Sequence, residues 1–111
     1  MIRVLIDEDI DVGLRHHLGE SVLVETVQYR GWKGIRNGEL LGLAEKHFDV
    51  FVTMDDNLPN QQNLATFGLA VVILRARSKR LVDLLECVPS LKTELAAPKP
   101  GSAIRIYPAG E

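Results

Sequence analysis

Val50-Phe51-Val52-Thr53-Met54-Asp55-Asp56-Asn57 is an apolar run that stops in a cluster of acids, and Arg3-Val4-Leu5-Ile6-Asp7-Glu8-Asp9 repeats the pattern near the start of the chain. Short runs rich in Val and Ile read as strands buried on both faces of a parallel sheet. The acids would then follow two strand carboxyl ends, the edge at which open α/β sheets bind ligands. Carboxylates gathered there repel one another unless a cation joins them, so the pattern predicts a divalent metal.

Outward from these two runs, strand-like and helix-like segments alternate. Strands are expected near residues 2–7, 22–27, 50–54, 70–75 and 103–107, and helical segments near 10–18, 38–47, 59–66 and 79–96. Asn37 and Ser78 stand where N-caps are wanted, and Pro59 suits a first helical turn. Pro89 should break the last helical stretch in two, and Ala97-Pro98-Lys99-Pro100-Gly101 reads as the turn into the final strand. The alternation predicts a three-layer α/β/α fold with a mostly parallel five-stranded sheet. Right-handed crossovers favour the strand order 2-1-3-4-5, with a crevice between strands one and three where Asp7 and Asp55 emerge.

The chain has 111 residues, is 46% hydrophobic and 25% charged, and carries a net charge of −2. One domain over residues 1–111 is expected. No apolar run approaches the roughly 20 residues of a membrane span. The N-terminus runs into a strand without a signal-peptide pattern, which predicts a cytoplasmic protein. The single cysteine, Cys87, excludes an internal disulfide and reads as a core residue. The mild acidity gives no global sign of nucleic-acid binding, so the distribution of charge has to decide.

Asp7 and Asp55 are the core of the candidate site. Glu39, expected in the first turn of the second helix, opens on the same edge and can complete an acidic triad, and Asp56 is a candidate further ligand. Glu8, Asn37 and Asn57 offer auxiliary oxygens, and Gln62, in the polar run Gln61-Gln62-Asn63, lies close in sequence to Asp55. Each also has a plainer role as a cap, turn or solvated residue. Asp9 and Asp11 read as acids favoured in a first helical turn, and His16, His17 and His47 as surface residues. Two basic loops should border the crevice: Tyr29 to Arg36, with Arg30, Lys33 and Arg36, and Arg75 to Arg80, with Arg75, Arg77, Lys79 and Arg80. They hold seven of the 13 Lys and Arg residues. Cations around a carboxylate centre suit hydrolysis of a polyanion, the acids holding metal and the bases flanking phosphates. Trp32 is a candidate for stacking an unpaired base, or for packing on the domain.

Val4-Leu5-Ile6-Asp7-Glu8, Gly31-Trp32-Lys33-Gly34 with Asn37-Gly38-Glu39-Leu40-Leu41, and Phe51 to Pro59 together resemble the small bacterial PIN-like domain family. Gln61-Gln62-Asn63-Leu64 and Val71 to Ser78 extend the resemblance over nearly the whole chain. It implies a PIN-like fold and a metal-dependent ribonuclease, proposed in many such proteins to be the toxin of a toxin–antitoxin pair. It further implies Mg²⁺ or Mn²⁺ held by Asp7, Glu39 and Asp55, with activated water attacking an RNA phosphodiester and Glu39 as ligand or water-orienting base. The partners implied are RNA and an antitoxin protein. A homodimer through Trp32 and Ile35 is a further expectation. Asn37 and Asn57 stand where that pattern often has an acid, a loss that Asp56 is best placed to offset.

Two other classes fit parts of the chain. A catalytically degenerate PIN-like domain would bind RNA or a protein without cutting, as the neutral Asn37 and Asn57 suggest. A receiver domain would use Asp7-Glu8-Asp9 for Mg²⁺ and Asp55 as phosphoacceptor. It also needs a Ser or Thr after strand four and a Lys after strand five, where this chain has Arg75-Ala76-Arg77 and Tyr107 to Glu111.

Overall fold

The computed structural model describes residues 1–110. Five short apolar runs form the strands β1 (Ile2–Ile6), β2 (Val22–Thr26), β3 (Val50–Thr53), β4 (Ala70–Leu74) and β5 (Ala103–Ile106). All pair in parallel, in the order β2-β1-β3-β4-β5 expected from the sequence. Every residue of β3 and β4 is buried, which is why these strands read as unbroken apolar runs rather than as alternating ones.

Alternation along each strand divides the core in two. On one face Val4, Ile6, Val50, Val52, Val72 and Leu74 pack under Leu14 and under Leu84, Leu91 and Leu95. On the other, Leu5, Phe51, Val71 and Ile73 pack under Leu40, Leu41, Leu58 and Leu64. The second face is covered by α1 (Asn37–Ala44) and α2 (Leu58–Gln61), the latter followed by a 3₁₀ turn at Leu64–Thr66. The first face is covered by a 3₁₀ segment, Val12–His17, and by α3 (Leu81–Leu84) and α4 (Val88–Ala96), joined through a 3₁₀ turn. The architecture is three-layer α/β/α.

Some local expectations are corrected. The segment after β1 is 3₁₀ rather than α-helical, held at its start by the Asp11 carboxylate accepting from the Gly13 amide at 2.8 Å. The last helical stretch is broken in two as Pro89 leads one to expect, into α3 and α4, with the proline in the first turn of α4, where its missing N–H costs nothing. Asn37 is the first residue of α1, behind an extended Arg36, rather than its N-cap. Ser78 lies before α3, accepting from the Arg80 amide at 3.1 Å and donating to Asp83. The crossover rule holds only in part. The β1–β2 connection covers one face while moving toward one edge, and the next two connections cover the other face while moving back. The β4–β5 connection continues in that second direction but returns to the first face, so its hand is opposite to that of the other three. There α3 and α4 bury apolar sheet surface that the short 3₁₀ segment alone leaves open.

Candidate functional site

Parity along the strands decides which side chains meet at the carboxyl edge. Leu5 and Phe51 face the layer of α1 and α2, so Asp7 and Thr53, two residues further on, face it too. The β1–β3 register pairs Ile6 with Val52, which sets Asp7 beside Thr53. The Thr53 hydroxyl donates to Asp7 Oδ2 at 2.7 Å and accepts from the Asp55 amide at 3.1 Å. One fully buried hydroxyl therefore ties both acidic segments together. In sequence Thr53 reads only as part of the strand; its sign is a hydroxyl at the last position of an otherwise apolar buried strand.

Asp7 Oδ1 accepts from the Glu8 amide at 2.8 Å. Asp55 Oδ1 accepts from the Asn57 amide at 3.0 Å, and Asp55 Oδ2 from the Asn37 side-chain amide at 3.3 Å. No ion pair to either carboxylate exists among the described residues. Burial pushes the Asp7 carboxyl above its ordinary value; the Thr53 and Glu8 hydrogen bonds oppose the shift, and the nearby Asp9 and Glu8 charges add to it. A cleft of about 380 Å³ opens over this pair, lined by Asp7, Glu8, Asp9, Asn37, Met54, Asp55 and Lys79. A larger cavity of about 890 Å³ lies at the opposite edge of the sheet beside Met1, Gly19 and Lys92. Of its acids, Asp49 is taken up by Arg3, so the smaller cleft is where carboxylates converge.

The structure does not bring Glu39 or Asp56 into this group. In an α-helix successive residues turn by about 100°, so with Asn37 aimed at Asp55, Glu39 points away, and it is exposed. Asp56 turns toward β4 and β5, where Arg75 reaches Oδ2 at 2.6 Å and Arg105 reaches Oδ1 at 2.6 Å. The hydrogen bonds from Arg105 and then Arg75 hold its carboxyl below the usual range. Among the described residues no three His, Cys, Asp or Glu side chains are gathered as a ready metal cage.

The auxiliary residues divide in the same way. Glu8 lines the cleft and accepts from the Gly34 amide at 3.3 Å, anchoring the loop after β2. Gly34 has φ +83°, a conformation glycine adopts without strain. Asn57 shapes the turn, accepting from Asn60 at 3.3 Å. Gln62 lies over Gly38 at the start of α1, where a Cβ would stand 3.1 Å from its Oε1.

Of the basic candidates, Lys79 lines the cleft and pairs with Asp9 at 3.4 Å. Lys33 and Arg36 are exposed. Arg77 is engaged by Glu86. Arg30 pairs with Glu25 at 2.6 Å and lies over the rings of Trp32 and Phe48, 5.4 and 4.9 Å from their centroids. Trp32 meets Phe48 edge-on at 6.2 Å and packs on the α1-side core with Ile35. Trp32 and Ile35 thus serve the domain's own packing rather than standing out as a stacking platform or dimer face. No helix among the described residues is long and apolar enough to cross a membrane.

Comparison of the chain with protein-family models, curated proteins and solved structures finds no match.

Proposed function

We propose that the protein is a divalent-metal-dependent ribonuclease of the PIN-like kind, with Asp7 and Asp55 as its metal-holding carboxylates. The observation that carries this reading is the Asp7–Thr53–Asp55 linkage. It holds two carboxylates at adjacent strand ends, beside a cleft, with only neutral donors on their oxygens. A half-buried carboxylate with a raised pKa and two acidic neighbours is short of positive charge, and an all-oxygen donor set suits Mg²⁺ or Mn²⁺. The residues present therefore fit such an ion. An ion held by Asp7 and Asp55 would supply activated water and neutralise charge on the phosphate.

The remaining groups act around that centre. Thr53 fixes the Asp7 carboxylate, Asn37 orients that of Asp55, and Lys79 offers an ammonium to a neighbouring phosphate. Hydrolysis joins the water oxygen to phosphorus and breaks the bond to the departing ribose oxygen, which leaves protonated. Glu39 takes no part in this scheme. A role as the toxin of a toxin–antitoxin pair, with an antitoxin protein as partner, is the biological setting we infer from the resemblance.

The second reading, a domain that binds RNA without cutting, is favoured by one contact: the Asn37 amide occupies the Asp55 oxygen that an acid at that position would leave open to a cation. Cleavage of single-stranded RNA in Mn²⁺ separates the two. For the nuclease, Asp7→Asn and Asp55→Asn each lower the rate on the order of 100-fold or more, while Glu39→Gln stays near wild type. Folded wild type that never cuts would favour the binding module.

A further inference from the structure

Arg75 and Arg105 share one carboxylate. Arg75 follows β4 and Arg105 lies within β5, and the two strands are adjacent and in register, Ile73 beside Arg105. Asp56 holds them together. Its Oδ2 takes Arg75 Nη1 and its Oδ1 takes Arg105 Nε, each at 2.6 Å, and its backbone oxygen takes Arg105 Nη2 at 3.3 Å. Two guanidinium groups against one carboxylate leave the cluster at +1. The Nη1 group of Arg105, and the Nε and Nη2 groups of Arg75, have no partner among the described residues. Both side chains remain about two-fifths exposed.

The placement of this cluster gives it a use. Ile73 is also in register with Thr53, the residue bonded to Asp7, so Asp7, Thr53, Ile73 and Arg105 form one row across β1, β3, β4 and β5. Strands lie about 4.8 Å apart, which sets β5 roughly 10 Å from β3. Asp55 and Asp56, consecutive in the chain, face opposite ways from one turn: Asp55 into the acidic cleft, Asp56 to the arginines. Lys79, paired with Asp9, lines that cleft. Cations therefore stand both in the cleft, at Lys79, and beyond it, at Arg75 and Arg105. A planar guanidinium whose orientation is already fixed binds a phosphate with less loss of side-chain freedom than a loose lysine does.

We infer that Arg75 and Arg105, aligned by Asp56, form a subsite for a backbone phosphate of single-stranded RNA, flanking the bond held in the Asp7–Asp55 cleft. The inference rests on the nuclease reading for its polarity, though not for its measurement. Asp56 is then a positioning residue rather than a metal ligand.

Binding of a fluorescent mixed-sequence RNA of roughly 12 nucleotides tests it, followed in EDTA from about 50 to 200 mM salt. Asp7→Asn serves as the parent protein, so that neither metal nor cutting enters. Arg75→Gln and Arg105→Gln should each weaken binding and reduce the slope of log K against log salt by about 0.7, the value for one lost phosphate contact on a single strand. Arg105→Lys should restore most of the slope, which a purely structural role for the ion cluster would not require. Inorganic phosphate should compete only weakly, because one subsite alone holds it. Unchanged slopes in both Gln variants, strong competition by free phosphate, or no RNA binding by the parent would each overturn the inference. Arginine-dependent slopes in a protein that never cleaves RNA would remove the nuclease reading and leave the subsite standing.

Discussion

Asp7 is held in its place against its own charge. Its pKa is raised chiefly by burial, so the folded chain holds the proton more tightly than the unfolded chain and ionisation opposes folding. Below the ordinary value of 3.8 the group is protonated in both states and the opposition is absent. It grows as pH rises through the shifted value and then levels. Asp7→Asn, which keeps the shape and removes the charge, should therefore be more stable than wild type at pH 7, with the gap closing as pH falls toward about 4. Urea midpoints at several pH values check this, and a gap independent of pH would contradict it. Asp7 and Asp55 were legible from sequence because strand ends and alternation fix where they emerge. Glu39 was not, because the phase of α1 depends on which residue starts the helix, and that start falls at Asn37. Asp56 was misread because its arginines come from β4 and β5, a pairing that only tertiary register creates.

Among the elements, β3 has the most to hold. It lies at the centre of the sheet, presents Val50 and Val52 to one core and Phe51 to the other, and carries Thr53 at its end. Phe51 is 1% exposed, so Phe51→Ala should lower stability by about 3–5 kcal/mol. A lower denaturant midpoint with unchanged slope is the expected signature, and a loss below about 1 kcal/mol would mean that the core closes over the space. The strands could be read from sequence because two-sided burial leaves uninterrupted Val, Ile and Leu runs. The helices were harder. Residues 10–18 and 59–66 carry apolar residues at suitable intervals, yet Gly13 and the turn after Gln61 shorten these segments to 3₁₀ or single-turn pieces. The break at Pro89 was legible, because a proline lacks the N–H that a continuous helix needs there and suits the first turn of the next one.

Across the whole molecule, an open parallel sheet concentrates chemistry at one edge. The chain as a whole is mildly acidic, with a net charge of −2. At the carboxyl edge, however, Asp7 and Asp55 share their cleft with Lys79, and Arg75 with Arg105 gather on the neighbouring Asp56. The strand order was recoverable from the crossover rule, while the opposite hand of the β4–β5 connection was not. That hand follows from the need to cover two apolar faces with few helices. The central claim is that Asp7 and Asp55 together make a divalent-cation site, and Mn²⁺ titration followed by electron paramagnetic resonance tests it most directly. Wild type should take up one Mn²⁺ per chain, displaced by Mg²⁺, with binding lost in both Asp7→Asn and Asp55→Asn and kept in Glu39→Gln and Asp56→Asn. Equal Mn²⁺ uptake by wild type and both cleft variants, or none by folded wild type, would contradict it.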